Sequence, residues 1–454
     1  MSRSLRCTGH MPMGTQAAKL EPELKGPQSV SEQKRDAGGV RLIFQKLGPG
    51  LITGASDDDP SGIGTYSQVG AQFGYALLWT MIFSYPLMAA IQEISARIGR
   101  VTGVGIAANL RKNYPKPVLY IAVLIVSVAN VFNLAADIGA MGAATKLLLP
   151  GNVNIFIVIF GIGSLAGVLF VPYSTYAKYL KWLTVSLFAY VGVVFSVHVP
   201  WASVFRATLL PRLELTKEYF TALIAVLGTT ISPYLFFWQA SQEVEEVRNH
   251  HGEKPLKRAP TQAPEQLNRI HIDTYLGMAF SNAIAFFIIL TAAATLHGHG
   301  ITQISTSAQA AKALEPLAGR FAFLLFVCGI VGTGLLAVPV LAASACYGIG
   351  EANRWKTSLE RKPREAVRFY LAITVATLIG LSLNFMHIDP IKALFWAAIL
   401  NGVVAAPLMV VIMIMASSQK VMGKLVIPRY LKGAGWIATA VMFCACVGVF
   451  FTWK

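Results

Sequence analysis

Asp57-Asp58-Asp59-Pro60-Ser61-Gly62 places three carboxylates and a proline inside an otherwise apolar stretch that runs from about Leu47 to Phe83. An aspartate at membrane depth costs roughly 2.5–3.5 kcal/mol on insertion scales, so three in a row require a cation, protonation or water-filled surroundings. Proline removes a backbone hydrogen-bond donor, and this stretch therefore predicts a membrane helix that is broken partway along. The carboxylates at the break predict an ion site.

The composition of the chain places it in a lipid bilayer. Of its 454 residues, 55% are hydrophobic and 13% are charged, whereas soluble domains are about 25% charged. Continuously apolar runs on the order of 20 residues predict about eleven transmembrane helices, whereas a β-barrel would show short alternating segments. The runs lie at about 47–70, 75–98, 118–148, 153–172, 180–198, 219–242, 272–296, 320–349, 366–384, 390–416 and 434–451. The predicted fold class is an all-α polytopic membrane protein.

The net charge of +16 follows the rule that cytoplasmic loops of membrane proteins are rich in lysine and arginine. With a cytoplasmic N-terminus, the basic residues concentrate on one side of the membrane, in the clusters Arg97–Lys116, Lys178–Lys181, Arg248–Arg269, Arg354–Arg368 and Lys420–Lys432. An odd number of spans then leaves the C-terminus, Lys454, outside. We expect a multi-pass protein of the cell (inner) membrane whose partner is the lipid bilayer and not a nucleic acid.

The N-terminal segment differs from the rest of the chain. Residues 1–41 mix charge with Gly, Pro and Ser and hold no long apolar run, which predicts a disordered cytoplasmic tail without a cleavable leader. Residues 42–454 are predicted to form a single transmembrane domain. Of the five cysteines, Cys7 lies in the tail and the others lie in predicted spans without a Cys-x-x-Cys pair, so neither a zinc site nor a disulfide framework is indicated.

A second break occurs in the sixth span, at Leu227-Gly228-Thr229-Thr230-Ile231-Ser232-Pro233. A break at the same position in two successive five-span halves is the signature of an inverted-repeat transporter, whose substrate site lies between the two breaks. The repeats are predicted at about 46–198 and about 217–384, with further helices to 451. Helix-end carbonyls, carboxylates and the hydroxyls of Thr229 and Ser232 are hard ligands, which suit magnesium, manganese or calcium.

The residues around the first break resemble a known family. Gly48-Pro49-Gly50, Asp59-Pro60-Ser61-Gly62 and Gln72-Phe73-Gly74-Tyr75-Ala76-Leu77-Leu78-Trp79 are similar to the opening of the natural resistance-associated macrophage protein (NRAMP) divalent-metal transporters, whose first span carries Asp-Pro-Gly-Asn. The likeness continues through Gly228–Pro233, Asp137 and Asp273-Thr274 and covers about residues 42–450. The resemblance implies the amino-acid-transporter-like (LeuT) fold, with inverted five-helix repeats and broken helices 1 and 6. It also implies Asp59 as the metal-binding aspartate and, usually, proton-linked uptake of manganese or iron.

The departures from the family affect selectivity. Gly62 stands where the family has a metal-binding Asn, Ser232 stands where it has a Met, and Thr229 corresponds to its Ala. Because thioether sulfur helps such a site to reject hard alkaline-earth ions, we expect relaxed discrimination against magnesium. In this respect the chain resembles the divergent NRAMP-related magnesium transporters.

Two further departures affect proton handling. Tyr234 replaces the family's His after the span-6 proline, and Ala140 replaces its Glu three residues after Asp137. A phenol rarely releases its proton near neutral pH, and a methyl group has none to release. We therefore expect transport that is weakly or not at all coupled to protons, with Asp137 as the remaining proton-path candidate.

Several other polar residues have two interpretations. Asp57 and Asp58 either ligate the ion or hold it hydrated, and Asn401 in span 10 either completes the coordination sphere or makes an interhelical hydrogen bond. Glu243, Glu245 and Glu246 form either a solvated helix end or an ion exit, and His297 and His299 lie either in a solvated turn or at a site of metal capture. Glu93 and Arg97 are expected to form a structural ion pair. The roles of the membrane asparagines Asn130, Asn133 and Asn282 stay open.

These observations predict a secondary transporter that moves a divalent cation (manganese, iron or magnesium) toward the cytoplasm by alternating access. It would be no enzyme and would need no cofactor, because the metal is its substrate. Two alternatives stay open. A passive divalent-cation channel would also suit the weakened proton machinery. A membrane-embedded, magnesium-dependent prenyl or phosphoalcohol transferase would need a second acidic motif, and Asp137 is isolated.

Overall fold

The computed structural model describes residues 53–54, 56–172, 175–176, 183–250, 252–386 and 388–452. The predicted tail, the Gly48-Pro49-Gly50 motif, Cys7 and Lys454 lie outside these residues, so the predictions about them stay predictions. Every regular element within the described residues is helical.

Fourteen helices in the described residues have eight residues or more. They are α1 (Pro60–Phe73), α2 (Trp79–Thr102), α3 (Ile106–Asn113), α4 (Lys116–Thr145), α5 (Val153–Phe170), α6 (Phe188–Ser196), α7 (Trp201–Leu209), α8 (Lys217–Thr230), α9 (Pro233–Asn249), α10 (Ala263–Thr295), α11 (Ala322–Ala352), α12 (Val367–Leu383), α13 (Pro390–Ala416) and α14 (Arg429–Thr452).

Eight helical stretches in the described part of the chain are long and apolar enough to cross a membrane. They correspond to predicted spans 3, 4 and 6–11, with α8 and α9 together forming span 6. Of the other predicted spans, the first is divided at its aspartates, the second is α2, and the fifth includes α6 and is only partly described.

The first break has a local cause. Ser56 and Asp57 are helical, Asp58 is a bend, and Asp59 is extended (φ −70°, ψ 169°) before Pro60 starts α1. Proline disfavours helical geometry in the residue before it but fits the first position of a new helix. The Asp59 side chain accepts a hydrogen bond from the Gly62 backbone N–H, as an N-cap residue does.

The second break repeats this arrangement. Helix α8 ends at Thr230, Ile231 leaves helical geometry (φ −118°, ψ 58°), and Ser232 is extended (φ −72°, ψ 128°) before Pro233 starts α9. Each break therefore presents the N-terminus of a new helix, with its partial positive charge, inside the bundle.

Close helix crossings enclose both breaks. A methyl group on Gly228 of α8 would lie 2.1 Å from the Ala398 carbonyl oxygen of α13, and one on Gly99 of α2 would lie 2.1 Å from the Ala240 carbonyl oxygen of α9. Small residues let membrane helices approach to backbone contact in this way. Large apolar side chains on the outer faces of α5, α12 and α14 are exposed, as a lipid-facing surface requires, including Ile155, Ile159, Leu371, Phe450 and Phe451.

Candidate metal-ion site

The structure buries the predicted site residues in the centre of the bundle. Each of the predicted polar side chains is at most 2% exposed: Asp57, Asp58, Asp59, Asp137, Thr229, Ser232 and Asn401. Gly62 is buried with them. The described site residues are therefore shielded from solvent.

Asp59 is fixed by the start of α1. Its Oδ1 accepts hydrogen bonds from the Ser61 hydroxyl at 2.6 Å and the Gly62 N–H at 2.8 Å. Its Oδ2 accepts one from Asn133 Nδ2 of α4 at 2.9 Å. A carboxylate at a helix N-terminus is stabilised by the helix dipole and the free N–H groups, so the negative charge is held at the break.

Asn133 connects three helices at this point. Its Nδ2 also lies 3.4 Å from Asp137 Oδ2, and its Oδ1 accepts a hydrogen bond from Asn401 Nδ2 of α13 at 3.2 Å. Asp137 is thus brought beside Asp59, and Asn401 does make the interhelical hydrogen bond. The sequence left Asn133 ambiguous, although its spacing of four residues from Asp137 places both on one helix face.

Thr229, Ser232 and Gly62 lie where the two breaks face each other. A methyl group on Gly62 would lie 3.3 Å from Thr229 Oγ1, so Gly62 leaves open the space in front of that hydroxyl. The Ser232 hydroxyl lies 2.8 Å from the Thr229 carbonyl and 3.1 Å from the Gly228 carbonyl. The Ser232 hydroxyl therefore donates its proton to a carbonyl at the end of α8, and the lone pairs of its oxygen remain available as acceptors.

Asp57 and Asp58 contact a different helix. The Ser281 hydroxyl of α10 lies 2.8 Å from Asp57 Oδ2 and 3.0 Å from Asp58 Oδ1. A hydroxyl has one proton and can serve only one carboxylate at a time. Ser281 was missed by the sequence reasoning, because no pattern in α10 distinguishes it from other small buried residues.

Tyr234 joins the two breaks directly. Its hydroxyl donates to the Ser56 carbonyl at 2.9 Å and lies 3.5 Å from Asp59 Oδ2. Ala140 is buried on α4 and contributes no polar atom. The two proton-handling positions of the family are therefore occupied by a phenol and a methyl group within the bundle.

The ligand atoms available are oxygens. In the part of the chain that the structure describes, no three His, Cys, Asp or Glu side chains converge in a metal-binding group. Four buried oxygens near the breaks have no hydrogen-bond partner there: Asp57 Oδ1, Asp58 Oδ2, Asp137 Oδ1 and Asn401 Oδ1. The site thus combines one carboxylate of fixed position, that of Asp59, with hydroxyl, amide and helix-end oxygens. Hard cations prefer oxygen ligands of this kind and tolerate some flexibility in their number and arrangement.

A second polar region lies at the other end of α9, and here one prediction was wrong. Glu243 is fully buried and pairs with Arg269 of α10 at 2.5 Å, and Glu245 is 5% exposed and bonds Tyr347. A solvated helix end was expected for both. The reason is that Glu243 meets Arg269 on an α10 that begins at Ala263 and not near 272, while Glu245 meets Tyr347 of α11 and the backbone N–H of Leu359.

The remaining candidates have structural roles. Glu93 pairs with Arg97 at 2.5 Å, which confirms the structural ion pair, and it also contacts His271 at 3.0 Å. His297 and His299 lie in an exposed turn and contact backbone carbonyls. Asn130 and Asn282 donate to the carbonyls of Leu341 and Met81, at 3.2 Å and 2.8 Å, and thereby tie neighbouring helices.

The family model described as "Natural resistance-associated macrophage protein-like" matches residues 50–452. The divalent metal cation transporter MntH of Klebsiella pneumoniae subsp. pneumoniae is 26% identical over 426 residues, which cover 91% of this chain and 94% of that protein.

Solved structures share the fold. The manganese transporter of Eremococcus coleocola, in complex with an aromatic bis-isothiourea compound, superposes with a TM-score of 0.71 at 15% identity, over 90% of this chain and 87% of that one. MhsT in complex with L-phenylalanine gives 0.57 at 12% identity, over 88% and 98%. Mhp1, a nucleobase-cation-symport-1 family transporter, gives 0.54 at 14% identity, over 90% and 93%. The predicted all-α, LeuT-like fold class is confirmed.

Proposed function

Because the chain belongs to the natural resistance-associated macrophage protein-like family, we propose that it is a secondary transporter that moves divalent metal cations across the membrane by alternating access. The family is one of metal-ion transporters, so the chain is not an enzyme. The metal is the substrate, and the proposal requires no resident cofactor.

One observation carries the proposal: Asp59 is a buried carboxylate at the break of one helix, opposite the break of another, and its partners among the described residues are hydrogen-bond donors, none of them a basic side chain. A buried charge without a basic partner is expensive, and a cation of opposite charge is what would repay it. Asp59 is therefore the principal ligand in this proposal. Gly62, Thr229, Ser232 and Asn401 line the remaining space, and Asp57 and Asp58 hold charge on the α10 side.

The proposed substrates are hard or borderline divalent ions, namely manganese, iron or magnesium. Two observations support this set. The side chains that meet at the described site carry carboxylate, amide and hydroxyl oxygens, and Ser232 replaces the family's Met, so oxygen ligands dominate. Relatives named for manganese and for divalent metal cations support transport of the same class.

Alternating access requires two sets of contacts to open in turn. On one side α8 must separate from α13, where Gly228 touches Ala398, and α4 must separate from α13, where Asn133 bonds Asn401. On the other side the segment before the first break must leave α9, where Thr53 bonds Gln239, and α9 must leave α10. We place this second side in the cytoplasm from the distribution of basic residues, with the N-terminus cytoplasmic and the C-terminus outside.

Uptake into liposomes tests the proposal. We expect saturable, Asp59-dependent entry of manganese and magnesium, and Asp59→Asn should abolish it. Asn is a good N-cap, so this change removes the charge and keeps the helix start. Asp389→Asn is the matched control, because Asp389 also caps a helix that begins with proline but lies outside the site. Unsaturable flux would indicate a channel, and normal transport by Asp59→Asn would place the site elsewhere.

A further inference from the structure

The Tyr234 hydroxyl has an orientation that its role in joining the helices does not explain. Tyr234 is fully buried in the first turn of α9, and its hydroxyl lies 2.9 Å from the Ser56 carbonyl and 3.5 Å from Asp59 Oδ2. A phenol has one proton and can also accept. The carbonyl has no proton of its own, and the shorter contact takes the phenol's proton.

The phenol oxygen also lies 3.5 Å from Asp59 Oδ2. When the single phenol proton is donated to the nearer Ser56 carbonyl, these two oxygens face each other with no proton between them. In dry surroundings, facing lone pairs repel each other and attract any cation placed between them. The gap is therefore a place for positive charge.

The size of the gap suits a metal ion. Ligands at right angles on an octahedral ion are separated by about 1.4 bond lengths, which is roughly 3.0 Å for Mg²⁺ and roughly 3.3–3.6 Å for Ca²⁺. The observed 3.5 Å lies in the upper part of this range, and a shift of about 0.5 Å would fit the smaller ion.

The backbone of Tyr234 is also fixed by a hydrogen bond from a neighbouring helix. The Ser344 hydroxyl of α11 donates to the Tyr234 backbone carbonyl at 2.6 Å, and Pro233 restricts the start of the helix. A ligand whose backbone is fixed by a neighbouring helix is preorganised for its ion.

We propose that the Tyr234 hydroxyl oxygen is a direct ligand of the transported ion, paired with Asp59 Oδ2, and that it determines selectivity for hard divalent cations. The inference rests on the proposed function. It gives the residue at the family's histidine position a role in binding: a neutral oxygen suits magnesium, calcium and manganese, whereas imidazole suits zinc and iron.

Binding of Mg²⁺, Mn²⁺ and Zn²⁺ to the purified full chain, measured by titration calorimetry, tests this assignment. Tyr234→Phe removes one hydroxyl and should weaken Mg²⁺ and Mn²⁺ binding about tenfold, the scale of one lost ligand contact. Tyr234→His should raise the ratio of Zn²⁺ to Mg²⁺ affinity about tenfold. Tyr85→Phe is the matched control, because it removes another phenol that donates to a backbone carbonyl, that of Tyr275, and should change neither quantity.

A purely structural tie would give a different result. It would weaken all three ions by the same factor in both variants, and that outcome, or Mg²⁺ binding within twofold of the unmodified protein in Tyr234→Phe, overturns the proposal. Should Tyr234→Phe aggregate, the Zn²⁺ to Mg²⁺ ratio of Tyr234→His decides. If the unmodified protein binds no divalent ion, the proposed function is overturned as well. If the unmodified protein binds these ions and the Tyr234 variants bind them equally well, this inference alone is overturned.

Discussion

At the scale of single residues, three consecutive aspartates have three different surroundings. Asp59 caps α1 and receives donors from Ser61, Gly62 and Asn133, whereas Asp57 and Asp58 share the one proton of Ser281. The three aspartates therefore differ in how many hydrogen-bond donors stabilise the negative charge of each carboxylate. Asp59 is positioned by the backbone that it caps, and for this reason we propose it as the ligand of defined geometry.

Ser232 tests the basis of metal selectivity. Ser232→Met introduces the thioether that the family carries, and we expect preference to shift toward manganese or cadmium over magnesium by about 1–3 kcal/mol, the scale of one ligand contact. Competition between metals in a liposome uptake assay measures the shift. Ser232→Ala, which removes the hydroxyl without adding sulfur, should not produce it. Cadmium uptake by the unmodified protein that excess magnesium does not reduce would contradict the expectation.

Asn133 tests the connection between α1, α4 and α13. Asn133→Ala removes the donor to Asp59, and because hydrogen bonds to charged groups contribute about 1.5–3 kcal/mol, the maximal uptake rate should fall at least about tenfold. Asn130→Ala is the control, since Asn130 is a buried asparagine one turn away on α4 that bonds only the Leu341 carbonyl. Equal losses in the two variants at matched expression would show that Asn133 has no special role.

At the scale of helices, proline and its preceding cap residue decide where both broken spans divide. The Asp59-Pro60 and Ser232-Pro233 pairs each end one helix and start the next, so the backbone groups of two interrupted helices are available at the proposed metal site. The remote half of α9 is held in another way, by the buried pair of Glu243 with Arg269 on α10. Opening of that side has to break or carry this pair.

A double-mutant cycle measures that pair. Arg269→Gln leaves the Glu243 carboxylate buried without a counter-charge, and removal of one partner from a fully buried pair costs about 3–5 kcal/mol. Arg269 is 17% exposed, so we expect about 2–3 kcal/mol, seen as a lower thermal midpoint in detergent. The double variant Glu243→Gln with Arg269→Gln should recover part of the loss. Additive losses would show that the two side chains do not interact.

At the scale of the whole molecule, the bundle buries a site of oxygen ligands, with one set of helix contacts on each side. Tyr234 and Ala140 occupy the positions at which the family handles protons. Asp137, together with Asp57 or Asp58, is then the remaining candidate route for a proton. Coupling needs a group that gains and releases a proton in different states, with a connected path between the two sides. We therefore expect metal movement that does not require a proton.

Internal pH during metal uptake tests this property. We expect proteoliposomes that take up manganese or magnesium to show little or no acidification beyond that of empty vesicles, because the proton route is interrupted. Vesicles that hold the Asp59→Asn variant control for passive leak. Acidification that requires metal and scales with its flux would show obligatory coupling and overturn the expectation.

Local sequence is enough to predict the helical class, the two breaks and the position of Asp59 at the first break, because continuous apolar runs and proline geometry act within a few residues along the chain. Tertiary structure alone decided that Asn133 meets Asp59, that Ser281 meets Asp57, and that the Tyr234 hydroxyl reaches Ser56, across separations of 74, 224 and 178 residues. It likewise decided the burial of Glu243, since the early start of α10 covers a helix end that looks solvated in sequence. Such contacts depend on which helix faces pack together, and local propensity carries no record of a partner so distant along the chain.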